Sequence, residues 1–215
     1  MPNPPTAINL LRGALVSIDA TTQARNTVAF QFNPETLKRN LQVNTLGGGE
    51  QGDRSLAVRF VGAPTETISF DAIFDSVASN ATGPGPGVYP QISALAMLAY
   101  PRLAAVDQEE SLLAQGILEV MPLLAPRTIF VWGAMRVLPV RIAEFSIQEQ
   151  LFDSSLDPIR ATVSLTLRVL SYSDLFPSNP DYATFEAYQQ QLQNLASLGY
   201  TAGASAVTGV NVGTL

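Results

Sequence analysis

The sequence predicts a mainly β chain with one or two helices and a helical C-terminal extension. Three observations carry that expectation. Ile159, Ala161, Val163, Leu165, Leu167 and Val169 alternate strictly with Arg160, Thr162, Ser164, Thr166 and Arg168, a period of two that gives a strand one buried and one polar face. Val28, Phe30 and Phe32 alternate with Ala29 and Gln31 in the same way, until Asn33-Pro34 ends the run; proline lacks the ladder donor and asparagine favours turns. From Asp181 the period changes, and Phe185, Tyr188, Leu192, Leu195 and Leu198 fall on one face of a helix.

The elements follow in order. Ala14–Asp19 reads as a first strand and Thr21–Asn26 as its turn-rich connection. Thr27–Phe32 is the second strand, and Thr36–Thr45 resumes as a third with Leu37, Leu41 and Val43 apolar. Gly47-Gly48-Gly49 through Arg54 is a loop. Leu56–Val61 and Glu66–Phe74 are strands, the latter alternating through Ile68, Phe70 and Ala72. A long loop over 76–90, centred on Gly83-Pro84-Gly85-Pro86-Gly87, leads to a helix over Ile92–Tyr100. Residues 104–126 are ambiguous, with helical composition over Asp107–Glu119. Arg127–Trp132 is a strand. Met135–Glu149 is one long strand or two, interrupted by Pro139, and Leu151–Asp157 is a polar turn.

The twelve-residue strand from Pro158 would span roughly 40 Å at ~3.3 Å per residue, about twice the usual length. Long antiparallel strands with one polar face suit closed or ring-forming sheets. Ser173–Pro180 holds two prolines and reads as a linker, Asp181–Leu198 is the helix, and Gly199 is its natural stop. The expected division is therefore a β domain over 1–172 and an extension over 173–215.

Composition narrows the function classes. Hydrophobic residues make up 47% of the 215, enough for a sizeable core, while charged residues are only 14%, against about 25% in an average soluble domain. Such a surface belongs either to a polar-surfaced monomer or to a subunit largely covered by neighbours. The net charge is −6 and the basic residues are scattered, with only Lys38-Arg39 adjacent, so a nucleic-acid surface is not expected. No apolar run approaches the ~20 residues of a membrane span, and no direct membrane insertion is expected. The absence of cysteine removes disulfides and thiolate metal sites.

The chain also has no histidine, which removes the commonest general base, the Ser-His-Asp and Cys-His constellations and most zinc sites. The one lysine, Lys38, follows a turn beside Arg39 and reads as solvated, not buried as a reactive lysine must be. Glu109-Glu110 reads as a solvated helix face. Asp153 and Asp157 flank Ser154-Ser155 in a turn and lack the glycine and closing glutamate of a calcium loop. Gly47-Gly48-Gly49 is not followed by the Gly-Lys-Ser/Thr of a phosphate loop. No catalytic residue, cofactor or metal is expected.

Phe30-Gln31-Phe32-Asn33-Pro34-Glu35-Thr36-Leu37 resembles the strand, F-N-P-E, strand signature of the tube-like domain in contractile injection systems. The rest of the chain is similar to that family in order and spacing over roughly residues 14–172. The matches are Glu66–Asp75, the helix Gln91–Tyr100, Ile129-Phe130-Val131-Trp132-Gly133, Val140–Ile147 and Pro158–Val169. The resemblance is to the tube-initiator or baseplate-hub protein of phage-tail-like particles, without the LysM module that often follows. It implies two antiparallel sheets wrapped into a barrel-like sandwich with one helix. It also implies six copies in a ring that joins the spike hub to the inner tube and baseplate wedge proteins, assembled from the bacterial cytoplasm into the particle. An inner-tube subunit of the same machine, and an unrelated β-barrel that binds a small molecule or carbohydrate or acts as an esterase-like enzyme, are the alternatives. Candidate interface residues are Phe32, Asn33, Pro34, Glu35, Gly48, Asp53 and Tyr89 in loops, and Phe185, Tyr188 and Leu192 on the last helix.

Overall fold

A computed structural model of the chain describes residues 11–19, 23–45, 59–77, 86–116 and 125–200. Seven strands and three helices follow one another: β1 (Ala14–Ile18), β2 (Arg25–Ala29), β3 (Lys38–Gln42), β4 (Thr65–Asp75), α1 (Tyr89–Ala96), α2 (Leu103–Ala114), β5 (Arg127–Val131), β6 (Val137–Phe152), β7 (Pro158–Val169) and α3 (Pro180–Gly199). Every strand pair is antiparallel, in the order β2-β1-β5-β6-β7-β4-β3.

Two features of the expected fold are corrected. The described strands form one sheet, not two, and that sheet is not a closed barrel, while the three described helices agree with two helices and a helical extension. The physical reason for the single sheet lies in β6. Its 16 residues begin alongside β5 and run on alongside β7, so one strand belongs to both halves and joins them. Pro139 does not break it. The Pro139 carbonyl accepts from Leu170 N–H, just past the end of β7, so the donor that proline lacks falls where that ladder stops.

The sheet is strongly curled. Phe30, just past β2, stands edge-on to Phe70 of β4 with ring centroids 5.1 Å apart, although five ladder steps separate those strands and a flat sheet would hold them ~24 Å apart. Phe70 stacks on Phe130, and Phe130 on Trp132. Among the described residues no ladder joins β2 to β3, so the sheet is not a closed barrel. A side chain spans part of the gap: the Gln31 carboxamide donates to the Asp75 carbonyl and accepts from the Asp75 N–H, both at 2.6 Å. It makes the pair of bonds that a backbone neighbour would make in an antiparallel ladder. Gly13 sits inside the curl, where a Cβ would come 2.5 Å from Trp132 and 2.9 Å from Phe30.

One core fills the concave side. It takes Ile68, Phe70, Ala72 and Phe74 from β4, Ala161 to Val169 at alternate positions of β7, Ile92 and Leu95 from α1, and Phe185 and Tyr188 from α3. The alternation read in β7 is reproduced in its burial. Val28 and Phe30 are buried as their alternation predicts, but Phe32 is 46% exposed, because the ladder ends at Ala29 and the chain turns away. β3 is five residues instead of ten, α1 begins at Tyr89, and α2 occupies the ambiguous stretch without burying a side chain. Of the expected strand over 56–61, residues 56–58 lie outside the described segments and Phe60 makes a single bridge to Thr45.

Candidate functional site

The least satisfied part of the fold is the long hairpin of β6 and β7. β6 pairs with β5 only through Val137–Val140, but with β7 as far as Phe152. Among the described residues, its stretch from Arg141 to Phe152 has no strand on the other side. An extra residue between Ile142 and Glu144 marks the division; a bulge of this kind resets the alternation and bends the strand. Among the described residues β3, at one end of the sheet, pairs only with β4, and β2, at the other end, pairs only with β1. Unpaired edges present rows of N–H and C=O groups to any available strand. The β6 and β3 edges differ in charge: Arg141–Phe152 carries Glu144 and Glu149 against one base, Arg141, while β3 carries Lys38 and Arg39 and no acid, Arg39 being already paired with Glu66.

The convex face of β4 and β7 is small and polar. Ser69 and Thr166 hydroxyls lie 3.3 Å apart across the ladder, Ser164 Oγ donates to Asp71 at 2.6 Å, and Thr166 Oγ1 donates to Glu144 at 3.4 Å. The charged groups here are held in place: Arg160 pairs with Asp75 at 3.2 Å and Arg168 with Asp174 at 2.8 Å.

On the same face the 32–36 loop arches over β4 and β7 to form a recess of about 640 Å³, lined by Phe32, Asn33, Pro34, Glu35, Thr36, Asp71, Ile73, Arg160 and Thr162. The loop is fixed by Asn33, whose carboxamide accepts from Gly13 N–H and donates to the Leu11 carbonyl, both at 2.9 Å. Asn33 is thus engaged with the backbone of the segment before β1, while Phe32 and Glu35 remain exposed. Ile73, on the polar side of β4, is 41% exposed.

The tip of the hairpin stands at the same end of the sheet. Asp153 Oδ1 accepts from the N–H groups of Ser155 and Asp157, which ties the turn. Leu151 and Leu156 on either side of it have φ of 54° and 67°, a left-handed conformation that costs a bulky residue ~1–2 kcal/mol. Leu151, Phe152 and Leu156 are 62%, 51% and 75% exposed. The sequence predicts a polar turn here, and its candidate interface residues do not include these three. The available signal was the flanking of Asp-Ser-Ser by large apolar residues, which an ordinary solvated turn does not need.

α3 is bolted to the sheet. Asn179 caps it by accepting from Asp181 N–H at 2.9 Å, with Pro180 in the first turn. Asp181 is buried and takes both hydrogen bonds of Arg127, Nε to Oδ2 at 3.0 Å and Nη2 to Oδ1. Further along, Arg39 donates to Glu66 at 2.6 Å and to the Tyr188 hydroxyl at 2.7 Å. These bonds to Asp181 and Glu66 raise the pKa of Arg127 and Arg39, and burial raises that of Tyr188. Phe185 and Tyr188 therefore face the core, whereas Leu192, Leu195 and Leu198 stay exposed. Tyr89 is 39% exposed at the start of α1. Gly48 and Asp53 lie outside the described residues.

Among the described residues no group of three or more acidic side chains is placed to hold a metal ion, and no helix is long and apolar enough to cross a membrane. No curated protein matches the chain. The solved structures similar to it include a chain in the tail of an empty GTA particle, determined with C6 symmetry, and a chain in the virion of a native gene transfer agent (GTA) particle. Their identities are 10% and 9% and their TM-scores 0.31 and 0.30, with 73% of this chain and 90% of each of theirs covered. The contractile injection system tube protein family matches residues 14–174, from the first residue of β1 to the turn after β7. That span takes in every described strand, the hairpin and the recess, and the chain belongs to the contractile injection system tube protein family.

Proposed function

We propose that copies of this chain close into a ring, six to the turn, by pairing the free β6 edge of one copy with the free β3 edge of the next. The supporting observation is the presence, among the described residues, of unpaired edges on the two sides of β6-β7-β4-β3, the β6 edge with more acid than base and the β3 edge with the exposed base Lys38. Since β6 is antiparallel to β7, β7 to β4 and β4 to β3, the β3 of a neighbour would meet β6 antiparallel as well. Joining different patches head to tail generates rings when the rotation closes. A register that sets Leu41 opposite Ile147 sets Arg39 opposite Glu149 and Asn40 opposite Gln148. The Ser/Thr-rich convex face would then line one side of a continuous wall, without free cationic runs to hold a polyanion.

The role that follows is structural. Within the machine we read the ring as the adaptor between spike hub and inner tube, touching the inner-tube protein, the spike protein and baseplate wedge proteins, and assembled in the bacterial cytoplasm. The packing of α3 favours a second reading, the inner tube itself. Its first half is sunk into the domain, so it adds less bulk between stacked rings than a free appendage would.

Cysteine pairing tests the ring, because the chain has no cysteine of its own. Copies carrying only Asn40→Cys, mixed with copies carrying only Gln148→Cys, should form mixed disulfides under mild oxidation. Their absence, with a monomer mass in native mass spectrometry, overturns the edge pairing. Electron micrographs of the purified chain then separate the two roles: single rings support the adaptor, and stacked tubes the inner tube.

A further inference from the structure

We infer that the recess under the 32–36 loop is a socket for the hairpin tip of the neighbouring copy, with Phe152 as the side chain that fills it. The inference rests on the edge pairing proposed above and adds a second contact to it.

Strand direction brings the two features together. In an antiparallel junction the start of β3 lies beside the end of β6, so the residues before Lys38 meet those after Glu149. The register that opposes Leu41 to Ile147 carries on to oppose Thr36 to Phe152. Thr36 lines the recess, and Phe152 is the last residue of β6. The tip and the recess stand at the same end of the sheet: Gln150 pairs with Arg160, a residue of the recess wall, and Phe152 lies two residues further on.

The surfaces also match in chemistry. Phe32 and Ile73 give the recess an apolar floor that is 46% and 41% exposed, and Phe152 is 51% exposed at the tip. Within one copy these groups do not satisfy each other, since Phe152 is not among the residues that line its own recess. Rigidity favours the fit. Asp153 locks the turn behind Phe152, and Asn33 locks the loop above the socket, so little ordering remains to be done on contact. The Arg160–Asp75 pair at the rim is already closed and Asp71 accepts from Ser164, while the other acid of the lining, Glu35, is exposed on the loop itself.

The test is a double-mutant cycle on ring dissociation, followed by sedimentation with the full chain. Phe152→Ala should weaken each junction about 10- to 100-fold, the factor that corresponds to removing one buried aromatic side chain. Phe152→Leu should recover most of that loss. Ile73→Ala should weaken the junction too, and the double variant should be little worse than either single one, because both delete the same contact. Additive losses would show that Phe152 acts elsewhere. A Phe152→Ala junction within about 2-fold of the parent, in rings that still cross-link through Asn40→Cys and Gln148→Cys, overturns the socket and leaves the edge pairing standing. Loss of that cross-link in the parent sinks both. If Phe152→Ala is silent but truncation after Tyr200 weakens the ring, the occupant is the chain's own C-terminal segment, and the inference fails.

Discussion

Replacing Asp181 by alanine tests whether the last helix is part of the domain. Asp181 is 3% exposed and takes two hydrogen bonds from Arg127, whose side chain is 23% exposed. Deleting one member of a fully buried pair costs ~3–5 kcal/mol, because the other charge is left uncompensated. Arg127 keeps partial access to water, which brings the expected loss to about 2–3 kcal/mol. Asp181 also sits in the first turn of α3, where a carboxylate opposite the helix dipole contributes ~0.5 kcal/mol more. For a chain of 215 residues, at ~2–4 °C per kcal/mol, Asp181→Ala should lower Tm by about 5–14 °C. The comparison is Arg168→Ala: its pair with Asp174 is 33% and 27% exposed, and such a contact is worth ~1 kcal/mol or less. Urea unfolding followed by circular dichroism reads both. A cost below about 0.5 kcal/mol for Asp181→Ala, or equal costs for the two variants, would refute the view that α3 is clamped into the fold, at the scale of exposed pairs.

Four further outcomes follow from the same geometry. Truncation after Ser178 removes Phe185 and Tyr188 from the core as well as Asp181, and should unfold or grossly destabilise the β domain, whereas truncation after Tyr200 should leave its unfolding midpoint unchanged; protease resistance distinguishes the two. Gln31→Ala should cost ~1–3 kcal/mol by removing both hydrogen bonds to the Asp75 backbone, and Gln31→Glu should cost a comparable amount because a carboxylate cannot donate to the Asp75 carbonyl; equilibrium urea unfolding checks both. Gly13→Ala should destabilise by ~1–3 kcal/mol through overpacking against Trp132, and a blue shift or quench of the single tryptophan's fluorescence should report the displacement. The raised pKa of Tyr188 means that the folded state holds its proton longer than the unfolded chain. The stability this contributes is complete below the ordinary tyrosine value of ~10 and is lost as pH rises through the higher folded value. Tyr188→Phe should flatten that alkaline decline, as read from urea midpoints at stepped pH.

Much of the β domain was legible because burial on one side of a strand leaves a period of two in the sequence. β7 shows this best: its alternation and its burial coincide from Arg160 to Val169. β4 agrees equally well through Ile68, Phe70, Ala72 and Phe74. The reading weakened where tertiary partners set the limits. β3 looked ten residues long because Leu37, Leu41 and Val43 are apolar, but only Lys38–Gln42 finds a partner in β4. β6 looked interrupted because proline is a poor central-strand residue, and only the end of β7 beside Pro139 makes it harmless. α3 looked like an appendage because two prolines precede it, and its attachment depends on Arg39, Glu66 and Arg127, each distant in the chain.

The sequence alone determined the class of protein: a β domain, the F-N-P-E corner at Phe32–Glu35 and the family that the corner and the later strands mark. Those are local properties, carried by spacing and turn chemistry within a few residues. Only the tertiary structure decided which edges stay unpaired, that the sheet is single and curled but not closed, and that half of the last helix faces inward. Each of these depends on contacts between residues far apart in the chain. No local period records such contacts, because a strand's side-chain alternation is the same whether its backbone edge is paired or free.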